Sequence, residues 1–342
     1  MGRKINIGLI GTGRIGSLHS EYLAYRVPDA NLVAVCDIAI GKAQKVAGDL
    51  QIPAAFEDYR RIMEDETIEA VVISSSTDTH TEIIEAAAAA GKQIFCEKPI
   101  DQDLGKIDSA LSAVEQAGVK LQIGFNRRFD PNFWRVREMV ASGEIGDPHI
   151  LRITSRDPEP PPIEYVKVSG GIFLDMTIHD FDMARFIAGS EVEEIYVKGG
   201  VMVDPKIGEA GDIDTAVITL TFANGALGVI DNSRKAVYGY DQRVEVFGSE
   251  GMIAVSNNTP DSAVLSNPNG VHAPLPLFFF MERYTESYIA ELGAFIECVQ
   301  QDSEPPVTGA DGRAAVVIGY AAKKSYEENR PVKLIEVDNQ ER

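Results

Sequence analysis

The sequence predicts an α/β fold in two domains. Residues 1–125 form a parallel sheet with helices on both faces, and residues 126–342 form an α+β domain whose large sheet is mostly antiparallel. Three observations predict it. Short apolar strands alternate with helix-length segments as far as Gly124, which is the pattern of a doubly wound parallel sheet. From His149 onward, β-branched alternation with turn signals takes over, as in sequential antiparallel strands. The 342 residues exceed what one core usually spans, and 44% of them are hydrophobic, enough for two cores.

The first strand is Ile5–Ile10, followed by Gly-Thr-Gly-Arg-Ile-Gly at 11–16 and a helix over Arg14–Tyr25. Gly11 permits the tight turn, Gly13 lets backbone approach a pyrophosphate, and Gly16 lets helix and strand pack closely. The N–H groups at the start of that helix then face the phosphates. A second strand, 32–36, ends in Asp37, 21 residues beyond Gly16. A carboxylate there accepts hydrogen bonds from a ribose diol and repels a 2′-phosphate. Ile38-Ala39-Ile40 follow, with no Arg to neutralise such a phosphate. The reading is therefore a Rossmann domain that takes NAD rather than NADP.

The alternation continues with a helix over 42–50, a short strand at 54–55, a helical turn over 58–64 and a strand at 70–74. A helix from 78 or 79 to 90 stops at Gly91, strand 93–96 follows, and helix Leu104–Ala117 closes at Gly118 before strand 120–124. Ligands of such sheets gather at the carboxyl ends of the strands, so Ser74–His80, Glu97-Lys98-Pro99 and Gly124–Phe129 join the glycine turn as site candidates. Residues 131–142 read as an amphipathic helix stopped by Gly143. Strands follow at 149–155, 194–198, Thr215–Phe222, 226–232, 243–247, 252–256 and 263–265. Asn224-Gly225 between two of them is a strong hairpin signal. One helix, 171–188, interrupts them.

That insertion carries Asp175, His179 and Asp182. On a continuous helix the spacings i, i+4 and i+7 place all three on one face. A carboxylate touching an imidazole fixes its tautomer and raises its basicity, which suits a general acid/base. Lys98 stands at the end of a strand, where an ammonium can stabilise charge on a substrate oxygen as a hydroxyl loses its proton. The competing reading is a solvated loop lysine. Pro99 makes the Lys98–Pro99 bond a candidate cis peptide.

Ser75, Thr77 and His80 follow the fourth strand and are read as cofactor contacts, against a helix cap made by Thr77 or Asp78. Arg14 is read equally as a phosphate contact or as solvated. His19 is read as structural, His149 and His272 as surface or strand residues, and Phe278-Phe279-Phe280 as core or subunit packing.

The net charge of −20 argues against nucleic acid and anionic membranes as partners. Cys36, Cys96 and Cys298 lack metal-ligand spacing, and no His/Cys/Asp cluster suggests a metal. The expectation is a cytoplasmic protein: no charged-then-apolar leader precedes the first strand, and no apolar run approaches the roughly 18–20 residues of a membrane span. A polar tail closes the sequence at 338–342.

Taken together, Gly-x-Gly-x-x-Gly at 11–16, Glu97-Lys98-Pro99, Gly124-Phe-Asn-Arg-Arg128-Phe-Asp and Asp175-x-x-x-His179 resemble the glucose–fructose oxidoreductase / inositol dehydrogenase / rhizopine catabolism (Gfo/Idh/MocA) family over essentially the whole chain. The segment from Ser169 to Phe186, and Arg283-Tyr284-Thr-x-x-Tyr288, are most similar to its inositol-oxidising bacterial branch.

The resemblance implies NAD-dependent oxidation of myo-inositol to 2-keto-myo-inositol. In it Lys98, Asp175 and His179 are the catalytic residues: His179 takes the hydroxyl proton, Asp175 orients it and Lys98 holds the same oxygen. The cofactor set is Gly11, Gly13, Arg14, Ile15, Gly16, Asp37, Ser75, Thr77, His80 and Glu97. Arg128, Asp157, Asp182, Tyr238 and Tyr284 match the polyol-binding positions. Asp157 stands where several members have Asn, and an ionised Asp cannot donate, so the preferred stereoisomer stays open. Other polyols of the family (scyllo- or chiro-inositol, glucose, an anhydrosugar) and a non-catalytic NAD or sugar sensor are the competing readings. The resemblance also implies a homotetramer formed through the second sheet.

Overall fold

Six strands build the first sheet: β1 (Ile5–Ile10), β2 (Ala30–Cys36), β3 (Ala54–Phe56), β4 (Ala70–Ile73), β5 (Gln93–Glu97) and β6 (Leu121–Gly124). Their order is β3-β2-β1-β4-β5-β6 and every pair is parallel. The structure, a computed structural model, describes residues 3–338, so the polar tail beyond Asp338 lies outside the described residues. Ile7, Leu9, Val71, Val72, Ile73, Phe95 and Cys96 are fully buried, as strands covered on both faces require. Each such large side chain contributes roughly 1.5–3 kcal/mol relative to exposure. The strand order reverses between β1 and β4, so the crevice for a ligand opens at Gly11 and Ser74.

The chain divides into two units, Met1–Asn126 with Glu286–Ala314, and Arg127–Thr285 with Ala315–Arg342. This corrects the expected second domain of 126–342, because 286–314 returns to the first unit. Helix Thr285–Gln301, unread in the sequence, buries Leu292, Phe295 and Ile296. Phe295 meets Phe95 of β5 edge-on at 5.9 Å, and Ile123 of β6 donates its N–H to the carbonyl of Val307. Apolar area on β5 and β6 is what draws the segment back. A second unread helix, Gly309–Glu328, spans the boundary between the units.

The second unit holds β7 (Pro148–Arg156), β8 (Val192–Gly200), β9 (Thr215–Phe222), β10 (Leu227–Ser233), β11 (Asp241–Gly248), β12 (Met252–Val255), the small hairpin β13 (Leu265–Asn267) and β14 (Gly270–His272), and β15 (Val332–Lys333). The large sheet runs β12-β11-β7-β10-β9-β8-β15 and is antiparallel except between β7 and β10. The Asn224-Gly225 turn joins β9 to β10, with Gly225 at φ +87° and its N–H on the Phe222 carbonyl. The strand expected at 263–265 is displaced to β13, which pairs only with exposed β14. On β9, Ala216, Ile218, Leu220 and Phe222 are buried while Val217 is exposed. The opposite sheet face carries a row of exposed apolar residues in register across four strands: Leu227, Ile150, Phe247 and Met252. Among the described residues no helix is long and apolar enough to cross a membrane.

Candidate active site

The glycine turn is set by backbone clearances. Gly11 has φ +94°, and a Cβ there would sit 2.5 Å from the Ser75 nitrogen. A Cβ on Gly16 would lie 1.8 Å from the Gly11 carbonyl oxygen and 2.7 Å from Ser74 Oγ, so only glycine lets the helix close on the turn. Gly13 is different: a Cβ there meets nothing within 4 Å, and the residue is exposed in an extended conformation at the head of helix Arg14–Tyr25. No side chain caps that helix. An open approach to uncapped helix N–H groups suits a pyrophosphate. Arg14 is exposed and Ile15 partly so.

Asp37 Oδ2 accepts from the Thr12 N–H at 2.9 Å and its hydroxyl at 3.0 Å, and Oδ1 accepts from the Ala39 N–H at 2.9 Å. Burial works against its charge, yet the Ala39 and Thr12 donors and Lys42 outweigh it and hold the carboxyl below its usual range. A carboxylate held in its ionised form therefore stands at the end of β2.

The ends of β4 and β5 are braced together. Ser75 Oγ is 2.7 Å from Thr79 Oγ1. Thr77 is partly exposed and opens a single 3-10 turn, Thr77–Thr79, that no side chain caps. The competing cap reading of Thr77 and Asp78 therefore fails. His80 is buried between two carbonyls, with Nδ1 2.9 Å from that of Pro99 and Nε2 3.1 Å from that of Ser75. Burial lowers its pKa, and a neutral imidazole donates to only one of the two. His80 is thus a strut beneath the Lys98–Pro99 turn, whose peptide bond is cis. Lys98 itself is partly buried.

Glu97 Oε1 accepts from His19 Nε2 at 2.7 Å and Oε2 from the Lys98 N–H at 3.3 Å, so its carboxylate holds its own strand end. Glu291, from the unread helix, completes a trio whose ligand-type atoms lie within 4.8 Å of one another. Glu291 is fully buried with neither oxygen hydrogen-bonded. Burial and the charge of Glu97 push its carboxyl well above the usual range.

In the second unit the expected continuous helix 171–188 is broken. Gly171–Asp175 ends, Met176 and Thr177 intervene, and a new helix runs Ile178–Ala188. The Thr177 N–H reaches back five residues to the Ile172 carbonyl, and the Asp180 N–H only three, to Thr177. Strand β10 imposes the break: the Thr177 hydroxyl donates to Asn232 Oδ1 at 2.8 Å, and Asn232 Nδ2 donates to Asp180 Oδ2 at 2.8 Å. Asp180 also takes Arg127 Nη1 at 2.5 Å. The single-face geometry expected for Asp175, His179 and Asp182 is corrected accordingly.

Asp175 sits at the break. Its Oδ1 accepts from the Tyr165 hydroxyl at 2.8 Å and its Oδ2 from Arg234 Nη1 at 2.9 Å. Asp157 Oδ2 and Asp212 Oδ2 each lie 3.9 Å from the same guanidinium. Burial and the neighbouring Asp175 raise the Asp157 carboxyl to about 6 against the pull of Arg234. His179 is partly exposed.

Asp182 has a partner of its own. It is fully buried in a bidentate pair with Arg128, at 2.6–3.1 Å, and Arg128 lies over the Phe186 ring. Tyr238 donates to Asp241 at 2.6 Å and accepts from Arg156 at 3.0 Å. Tyr284 is buried and donates to Gln242 Oε1 at 3.3 Å.

Arg234, Asn232, Tyr165, Arg127 and Glu291 were missed in the sequence. A signal existed for two of them: along β10 the inward positions run Gly228, Ile230, Asn232 and then Arg234, so polar side chains replace apolar ones where period two demands a core residue.

Comparison with known proteins matches residues 5–125 to an oxidoreductase family with an NAD-binding Rossmann fold, and residues 133–254 to the GFO/IDH/MocA C-terminal domain. The chain is 52% identical over 333 residues to the myo-inositol 2-dehydrogenase of Thermotoga maritima, covering 97% of this chain and 99% of that one. It is 44% identical over 330 residues to the inositol 2-dehydrogenase of Rhizobium meliloti, covering 96% and 99%. The crystal structure of scyllo-inositol dehydrogenase from Lactobacillus casei with bound NAD(H) and scyllo-inositol superposes with a TM-score of 0.91 at 29% identity, over 97% and 99% of the two chains. Fold and cofactor site together define an NAD-dependent oxidoreductase. The chain belongs to the Gfo/Idh/MocA family.

Proposed function

We propose that the protein oxidises the 2-hydroxyl carbon of myo-inositol, giving 2-keto-myo-inositol. Its likeness to the T. maritima and R. meliloti enzymes supports this substrate. NAD, when bound, supplies the hydride acceptor. Gly11, Gly13 and Gly16 shape its cradle, with Arg14 and Ile15 at the helix start, and Asp37 takes the ribose diol. Ser75, Thr77, His80 and Glu97 complete the set, the last two by bracing the Lys98–Pro99 turn.

His179 removes the hydroxyl proton, Asp175 orients the imidazole, and Lys98 stabilises the charge developing on the same oxygen. Asp157, Tyr238 and Tyr284 meet the other hydroxyls, and Arg128 with Asp182 forms one fixed pair beside them. The observation that carries the reading is Asp175, four residues before His179 and held on both oxygens by Tyr165 and Arg234.

His179→Ala is expected to lower kcat by about 10²–10⁴-fold with NAD affinity intact, measured by NADH absorbance and by fluorescence titration. Unchanged turnover removes the assigned role. The same assay over myo-, scyllo- and chiro-inositol and glucose decides the isomer. A flat trace with all of them beside normal NAD binding leaves a sensor.

The exposed row Leu227, Ile150, Phe247, Met252 is suited to cover by another copy of the chain, and a cytoplasmic homotetramer built on this sheet completes the reading. Light scattering should give a four-chain mass, reduced in Phe247→Glu. A one-chain mass for the wild type at micromolar concentration counts against it.

A further inference from the structure

We propose that Arg234 is the positioning residue of the Asp175–His179 segment: it fixes Asp175 from a strand of the large sheet and supplies the counter-charge for three carboxylates at once. This rests on the catalytic reading of Asp175 given above. Arg234 follows the last residue of β10 and is 2% exposed. Nη1 holds Asp175 Oδ2 at 2.9 Å, while Asp157 and Asp212 stand 3.9 Å from the same fork. Each of the three touches a different element. Asp157 follows β7, Asp175 ends the first half of the broken helix, and Asp212 caps that half by accepting the Ile172 N–H at 3.0 Å.

Two residues earlier, on the same strand face, Asn232 pins Thr177 and Asp180. The end of β10 therefore grips the segment on both sides of its break, and His179 lies between the two grips. Few arrangements leave a guanidinium this buried with Nε and Nη2 lacking hydrogen bonds, and Asp212 Oδ2 is equally without one. A site under pressure for stability alone would pair them. Three carboxyl groups share this one buried cation.

The charged and titratable groups of the cluster are Arg234, Asp175, Asp157, Asp212 and Tyr165, with Arg127 and Asp180 also acting on Asp157. Without Arg234, Asp157 and Asp212 lose the guanidinium that opposes their burial, so both hold protons to higher pH. The acid limb of kcat against pH then moves upward.

The test compares Arg234→Met, Arg234→Lys and Tyr165→Phe with Asp175→Asn, using myo-inositol and NAD. In Arg234→Met, kcat is expected to fall about 10²-fold, the scale of a misplaced catalytic group, with NAD affinity unchanged, KM altered only by the few-fold that Asp157 contributes, and the acid limb shifted up. Arg234→Lys restores the position of the limb but only part of kcat, since it keeps the charge and loses the fork. Tyr165, about half exposed, can be changed without threat to folding, and Tyr165→Phe should lower kcat a few-fold in the same sense. If Arg234→Met fails to fold, Tyr165→Phe and Arg234→Lys carry the test. A wild-type kcat and pH profile in folded Arg234 variants, or in Tyr165→Phe if none fold, overturns the inference while an inactive Asp175→Asn leaves the catalytic reading standing. A fully active Asp175→Asn sinks both.

Discussion

The glycine turn of the first unit and the broken helix of the second fix their geometry by opposite means. Around Gly11–Gly16 the geometry comes from backbone meeting backbone, and the deciding property of each glycine is what it lacks. Around Asp175–His179 it comes from side chains delivered by a strand more than fifty residues away. The first arrangement rests on backbone clearance and tolerates no added atom at Gly11 or Gly16. The second is non-local and depends on buried charge.

The contrast can be broken most severely at Gly16. Gly16→Ala puts a methyl 1.8 Å from the Gly11 oxygen, and a loss of about 3 kcal/mol or more in urea titration is expected. Gly13→Ala, three residues away, has open space. It should melt like the wild type while binding NAD about tenfold more weakly, the change of about 1.4 kcal/mol that a lost close contact to phosphate implies. Equal melting losses in both variants would mean that the turn does not divide into packing and ligand glycines.

A smaller effect sharpens the comparison from the side of buried charge. Glu291 has a folded pKa raised above its unfolded value, so the folded state binds the extra proton. Stability from this group is present below the unfolded pKa near 4.5 and declines as pH rises above it, by up to about 1.4 kcal/mol per pH unit. Glu291→Gln should therefore gain on the wild type in melts taken from pH 5 to pH 8. A constant gap between the two would show that Glu291 is ionised in the fold.

The smallest expected effect is at Asp157. It loses its proton near pH 6, changing from a donor and acceptor to an acceptor alone. KM for myo-inositol should change a few-fold across that pH, and Asp157→Asn should flatten the change. A flat wild-type profile between pH 5 and 7.5 would place Asp157 outside the polyol contacts.

What could be read in advance follows the same division. The glycine turn and the Asn224-Gly225 hairpin were legible because the residues that matter lie within a few positions of one another, and steric rules act at that range; Asp37 was legible from its place at the end of the second strand. The continuous helix 171–188 was the natural reading of its apolar spacing. It failed because the Thr177 hydroxyl and Asp180 carboxylate are claimed by Asn232, whose identity as their neighbour no helical period contains. Helix Thr285–Gln301 went unread, and with it Glu291 and the return of 286–314 to the first unit. The polar inward positions at Asn232 and Arg234 did mark β10 as unusual, without naming what those side chains would hold.

By itself, then, the amino-acid order determined the two kinds of sheet, the tight glycine turn after β1, the carboxylate after β2 and which residues carry titratable groups. These rest on local sterics and on side-chain chemistry that a residue carries wherever it goes. Only the tertiary structure decided which carboxylates share Arg234, that Asp182 belongs to Arg128, and that Glu291 is buried beside Glu97 with its carboxyl pushed up. Pairing and desolvation depend on what surrounds a charge, and its surroundings exist only once distant segments have packed.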